Sequence, residues 1–273
     1  MAQGYRDLRT HIVDTVSRMR VDLLGDSAQG SPEEKGELRG AALLKNLVEA
    51  NLQEEGGGSG LTDDELLSNV FTSSNTLAFC LPPLALYPEV QNKVYAEVKQ
   101  LWPDATPGNL AGVELEYTTA FFRETLRMFP SEPRLAKYVH ADTSLTGKRL
   151  TALVIVDIWT VNMSPLHRGH DVDEFKPEMF INIDRPEDDY TWPRDAFLAF
   201  YAGTRGCIGS RFATIESVCI LTLLVRHYEV LVPADLDKKD IGPEKRRKAL
   251  LAWTAGITIT PTGSKVKLRP GEV

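Results

Sequence analysis

The chain is short of cysteine, of positive charge and of long apolar runs, and each shortage excludes something. Three cysteines occur in 273 residues, Cys80, Cys207 and Cys219. A sparse, odd set does not form the disulfide framework of a small secreted domain, and a reducing compartment fits better. Lys and Arg number 31 against 38 Asp and Glu, a net charge of -7, which speaks against a nucleic-acid partner. No apolar run reaches the roughly 18 residues that a membrane span needs. The nearest approach, "NTLAFCLPPLALYP", is too short and contains Pro82-Pro83, so it reads as buried helix and turn. The opening "MAQGYRDLRTHIVDTVSRMR" is too charged for a signal peptide. Internal repeats are missing, and "EEGGGSG" is the one low-complexity tract, a flexible loop.

What is present is an ordinary globular composition, 42% hydrophobic and 25% charged. Helical periodicity runs through residues 6 to 25 and Leu43 to Leu52. Another helix opens at "LTDDELLSNVF", with Thr62 as N-cap and Glu65 at the capping-box position. Pro88 suits the first turn of a helix burying Val90, Val94, Val98 and Leu101. "VELEYTTAFFRETLRMFP" is amphipathic and ends at Pro130, while "TALVIVDIWTV" (151 to 161) is β-branched and predicts a strand. Residues 162 to 199 lack periodicity and predict a long irregular loop. A helix from Ile208 to about Tyr228 should turn Phe212, Ile215, Val218, Cys219 and Leu223 inward, and "LAWTAGITITPTG" predicts a hairpin.

The stretch richest in chemistry is "AFYAGTRGCIGSRFA", residues 199 to 213. Most lone cysteines are structural thiols. Cys207 has another setting, because a helix starting just after it aims free N-H groups at the sulfur and favours the thiolate. Such a thiolate serves as a nucleophile or a metal ligand. A nucleophile needs a histidine base close in space, and His11, His140, His167, His170 and His227 include no obvious one. Zinc needs further Cys or His ligands at close spacing, which are absent. A single thiolate flanked by Gly203 and Gly209 fits one axial bond to a haem iron.

Phe200, Gly203, Arg205, Cys207 and Gly209 together spell F-x-x-G-x-R-x-C-x-G, and this resembles the haem-binding loop of the cytochrome P450 family. Glu124-Thr-Leu-Arg127 resembles the family's E-x-x-R helix, whose role is structural. An isolated E-x-x-R is weak on its own, since Glu244-Lys-Arg-Arg247 also matches and an exposed i,i+3 pair is the commoner outcome. "EFKPEMF" stands where the family often has F-x-P-E-R-F. Met179 replaces the arginine that completes the E-x-x-R network, which leaves that network incomplete or filled by Lys176 or Arg185. In "NVFTSSNTLAFCL" Thr72 or Ser73 takes the alcohol end of the family's proton-relay pair, while the small-Gly-x-acid part is absent. Family position suggests Arg205 for one haem propionate and Arg134 or Lys137 for the other, with Arg194 and Arg211 flanking the cysteine loop toward an electron donor.

The resemblance runs from about residue 38 to 273 and implies one partial domain over 1-273. The implied fold is mainly α with small β-sheets, the C-terminal half of the cytochrome P450 fold, truncated at the N-terminus. It implies haem b (iron protoporphyrin IX) as cofactor and insertion of one oxygen atom of O2 into a hydrophobic organic substrate, with electrons from a reductase. A full-length eukaryotic member would sit on the cytoplasmic face of the endoplasmic reticulum membrane; this chain, without an anchor, reads as cytoplasmic. The competing expectation is a truncated, non-catalytic fragment that retains the haem-binding loop. A third, from another class, is an unrelated helical protein using Cys207 as a redox thiol.

Overall fold

The structure is a computed structural model describing residues 63–101, 115–139, 141, 143–150, 152–181, 196–207, 209–256 and 258–271. The expected helices before residue 53, the Thr62 cap, the Gly/Ser loop, Arg185 and Arg194 lie outside these residues, as do the side chains of Glu65, Thr72, Ser73 and Phe212. The chain divides into two compact units, Met1–Thr72 and Ser73–Val273. The first element below begins in the first unit and continues into the second, which holds all the others.

Helix α1 (Asp63–Leu86) runs through Pro82 and Pro83, where the sequence suggests a turn. Proline removes a ladder donor, and here the loss falls in the last turn, after which Tyr87 N-H closes on the Pro83 carbonyl at 2.9 Å. Pro88 then starts α2 (Pro88–Leu101), which buries Val90, Val94 and Val98 at the expected spacing. Helix α3 (Glu116–Met128) has no capping side chain of its own. Glu97 of α2 supplies the cap: its carboxylate accepts the N-H groups of Tyr117 at 2.7 Å and Thr118 at 2.8 Å. An anion there satisfies orphan donors and suits the helix dipole.

The strands form four two-stranded antiparallel sheets. Strand β1 (Arg134–Tyr138) pairs with β4 (Leu153–Asp157), and β2 (Thr143–Leu145) with β3 (Lys148–Leu150). The predicted strand over 151 to 161 is thus only half strand. From Ile158 the chain is helix α4 (Ile158–Asn162), because Asp157 Oδ1 accepts the Thr160 N-H at 2.9 Å and caps a turn that β-branched composition hides. The expected long loop also holds structure, helix α5 (Pro165–Arg168) and a 3-10 turn at Pro177–Phe180. Helix α6 (Ser210–His227) leads into β5 (Tyr228–Leu231), α7 (Pro243–Leu250), and the hairpin of β6 (Trp253–Ala255) with β7 (Ile259–Pro261). Strand β8 (Lys267–Pro270) returns to pair with β5.

The inward face of α6 differs from expectation. Ile215 and Leu223 are exposed, while Ser217, Val218, Leu221, Thr222, Val225 and Arg226 are buried. Apolar residues surround much of this helix, so their spacing alone does not choose a face. Val218, Leu221 and Val225 join Phe79 and Leu84 of α1, Val94 of α2 and Phe121, Phe122 and Leu126 of α3 in one core. Phe79 stacks on Phe129 at 4.7 Å between centroids, beside the buried Cys80. Between α2 and β5, the Gln91 amide donates to the carbonyls of Leu84 at 3.2 Å and Val230 at 3.0 Å and accepts the Val230 N-H at 2.7 Å.

Candidate functional site

The cysteine loop is built from its backbone. Tyr201 N-H bonds the Leu198 carbonyl at 2.9 Å, and a 3-10 turn spans Gly203–Arg205. Cys207 N-H returns to the Phe200 carbonyl at 2.9 Å and closes the loop. Gly203 has φ +76, and a Cβ there would meet nothing within 4 Å. Backbone conformation, not lack of space, selects that glycine. Gly206 is a matter of space, since a Cβ would sit 3.2 Å from the Gly203 carbonyl oxygen. Tyr201 also lies in the left-handed region, at φ +62, and its buried hydroxyl has no hydrogen-bond partner among the described residues.

Residues Ala202 to Cys207 are exposed, and Phe200 packs partly buried against the core. Helix α6 starts three residues after the cysteine, with Gly209 as its N-cap and no side-chain cap bond. The Gly209 carbonyl receives the first helical bond, from Ala213 N-H at 2.8 Å. The three cysteines are sorted by environment. Burial pushes the Cys80 thiol up to about 12, against a weaker opposing bond with Thr125, and raises the half-buried Cys219. Cys207 alone among them presents an exposed thiol.

On α3 stands an ion pair that is buried and not solvated. Glu124 and Arg127 have no exposed side-chain surface, and their contact is bidentate, Nε to Oε2 at 2.7 Å and Nη2 to Oε1 at 2.8 Å. Burial raises the Glu124 pKa, opposed by Arg127, by the Lys176 N-H and by the charge of Arg168. With Met179 in place of an arginine, the pair has other partners. Arg127 also donates to Met163 Sδ at 3.0 Å and to the Glu174 carbonyl at 3.2 Å, and Lys176 N-H donates to Glu124 Oε1 at 2.8 Å. Lys176 contributes its backbone only, because its ammonium pairs with Asp171 at 2.5 Å and Glu174 at 2.9 Å. Met179 packs instead against the Ala120–Phe180 cluster. Sequence reasoning misses Met163 and the main chain at 174 and 176, since a carbonyl or N-H carries no residue-type signal.

The structure therefore brings Phe200, Gly203, Arg205, Cys207 and Gly209 into one loop and pairs Glu124 with Arg127. Arg134 stands on β1, exposed, with Nε 3.2 Å from Asp157 Oδ2. Lys137 and Arg211 are exposed. The backbone of Thr72 is within α1. The second E-x-x-R, on α7, is no buried pair: Glu244 is exposed, and Arg247 donates to the Asp173 carbonyl at 2.8 Å.

Residues 24–259 match the family model described as Cytochrome P450. The chain is 30% identical to cytochrome P450 monooxygenase 124 of Postia placenta, covering 94% of this chain and 50% of that one. It is 28% identical to cytochrome P450 4d2 of Drosophila melanogaster, over 85% of this chain and 46% of that one. A Bacillus subtilis protein named bifunctional cytochrome P450/NADPH–P450 reductase 2 is 29% identical, over 83% of this chain and 21% of the relative. The chain spans about half the length of the fungal and insect relatives. With a mainly helical fold, small antiparallel sheets and a family match that includes both the E-x-x-R helix and the cysteine loop, the chain belongs to the cytochrome P450 family, whose cofactor is haem b.

Proposed function

We propose that this chain is the haem-binding part of a monooxygenase, with Cys207 as the thiolate that would hold the iron. The observation that carries the reading is the exposed Cys207 thiol on a loop closed by the Phe200 carbonyl, in a chain that also holds the buried Glu124–Arg127 pair. The residues suit the group: open space beside Gly203 admits a flat macrocycle, and Arg205, exposed on the same turn, suits a propionate. Bound there, haem b supplies the reductive activation of dioxygen and transfer of one oxygen atom to a substrate.

The protein's own contribution is positional and electrostatic. Helix α6, starting three residues after Cys207, fixes where the loop ends. Arg205, with Arg134 for the second carboxylate, neutralises the macrocycle's anionic edge. Thr72 is assigned the alcohol of the proton relay. Arg211, exposed on α6, is assigned to the face that meets an electron donor. A reductase partner is supported by the Bacillus subtilis relative, whose name joins P450 and reductase in one protein. A small hydrophobic organic compound is the proposed substrate class. The parent protein is placed at the endoplasmic reticulum membrane, and no helix among the described residues is long and apolar enough to cross a membrane. The family match extends across residues 72 and 73, which supports reading the chain as one partial family domain.

A second reading, a non-catalytic fragment that keeps the haem loop, is favoured by the chain's coverage of half its relatives and by the missing relay acid. The deciding experiment is an absorption spectrum of the haem-loaded, reduced chain under carbon monoxide. The strongly red-shifted Soret band of thiolate ligation is expected for the wild type and lost in Cys207→Ser. A band unchanged in Cys207→Ser overturns the ligand. Product formation with a reductase supplied would exclude the fragment reading; a thiolate band without turnover would support it.

A further inference from the structure

We propose that Asn162 is a positioning residue for the cysteine loop, fastening it to the helix of the Glu124–Arg127 pair. The inference rests on Cys207 being the functional residue of that loop. Asn162 is the last residue of α4 and has no exposed surface. Its Nδ2 donates to the Arg127 carbonyl at 3.3 Å, and its Oδ1 accepts the Leu198 N-H at 3.0 Å. The Arg127 carbonyl belongs to the last turn of α3, where carbonyls lack intrahelical donors. Leu198 opens the cysteine loop, since its own carbonyl takes the Tyr201 N-H.

The linkage is continuous. Arg127 holds Asn162, Asn162 holds Leu198, Leu198 holds Tyr201, and one residue earlier the Phe200 carbonyl holds Cys207. A second buried side chain steadies the same segment. Arg168 Nη2 reaches the Ala196 carbonyl at 3.4 Å, and its guanidinium lies 5.7 Å from the Phe180 ring centroid. Phe180 in turn meets Phe197 edge-on at 5.4 Å. The segment 196–198 is thus gripped at three successive residues. An amide of this length is the side chain that both donates to a carbonyl and accepts from an N-H. Aspartate keeps only the acceptor, and leucine keeps neither.

A residue that merely stabilised the fold would loosen every element together. A positioning residue loosens the loop selectively. The test is amide hydrogen exchange on the full 273-residue chain, comparing wild type, Asn162→Leu and Asn162→Asp. In Asn162→Leu the amides of Leu198, Tyr201 and Cys207 should exchange roughly tenfold or more faster, while those of Phe122 to Thr125 in α3 hold their wild-type rates. Asn162→Asp, which keeps the Leu198 bond, should give a smaller rise at the same amides. If Asn162→Leu does not fold, Asn162→Asp decides by the same comparison. Loop and α3 amides changing by one common factor, or not at all, would overturn the assignment. The haem-loaded spectrum separates this from the ligand question. A wild type without the thiolate band overturns Cys207 as ligand, whereas a normal wild type with an unshifted Asn162→Leu band overturns the positioning role.

Discussion

At Asp157 one carboxylate turns a strand into a helix. Its Oδ1 caps α4 through the Thr160 N-H, and its Oδ2 meets Arg134. The Thr160 bond chiefly, with help from Arg134, holds its pKa below the usual 3.8. Between that lowered value and 3.8 the unfolded chain binds more protons than the folded one, so stability rises with pH across the window. The contribution is present above 3.8 and lost as pH falls through the folded value. Asp157→Ala should cost about 1 kcal/mol at neutral pH. Urea midpoints of the two proteins should converge in acid; a gap that persisted there would mean the ionised carboxylate is not its source. The same residue shows how sequence reading errs. "LVIVDIWTV" is two-thirds β-branched, and one capping side chain outweighs that local preference. The motif around Cys207 was legible because it resides in residue type and spacing, and its family is the one that matches. The left-handed conformation of Tyr201 was not, since nothing about tyrosine announces it.

At the scale of elements, α3 is organised by the pair it carries. The Arg127 guanidinium makes four hydrogen bonds, two to Glu124, one to Met163 and one to Glu174. Arg127→Ala leaves a buried carboxylate facing a cavity and should cost about 3–5 kcal/mol. Chemical denaturation measures it, and the double variant Glu124→Leu with Arg127→Met should recover most of the loss. A single variant costing under about 1 kcal/mol would show that water reaches the carboxylate. The face of α2 was readable because its apolar side is set by the local period, and the β6–β7 hairpin was readable from its alternation. The face of α6 was not. Its buried set includes Ser217, Thr222 and Arg226 and leaves out Ile215 and Leu223, a choice made by the packing of α1, α2 and α3.

For the whole molecule, the sheets are small, and their edges are a hazard wherever N-H and C=O groups stand unpaired. Among the described residues exposed apolar side chains are also present, Tyr138, Leu153 and Ile155 on the β1–β4 ladder and Ile215, Ile220 and Leu223 on α6. Gln91→Leu should therefore do more than weaken the fold. It strips partners from the Val230 N-H and C=O, at about 1–3 kcal/mol for each buried group. Unfolding midpoints should fall, and sedimentation should show concentration-dependent association absent in the wild type. A variant that is weaker yet stays unassociated would confine Gln91 to packing. On its other side β5 is fully engaged by β8, from Tyr228 opposite Pro270 to Leu231 opposite Lys267. Helix α2 thus lends this two-stranded ladder a third rung made of one side chain, and a foreign strand arriving at Val230 would find its place already taken.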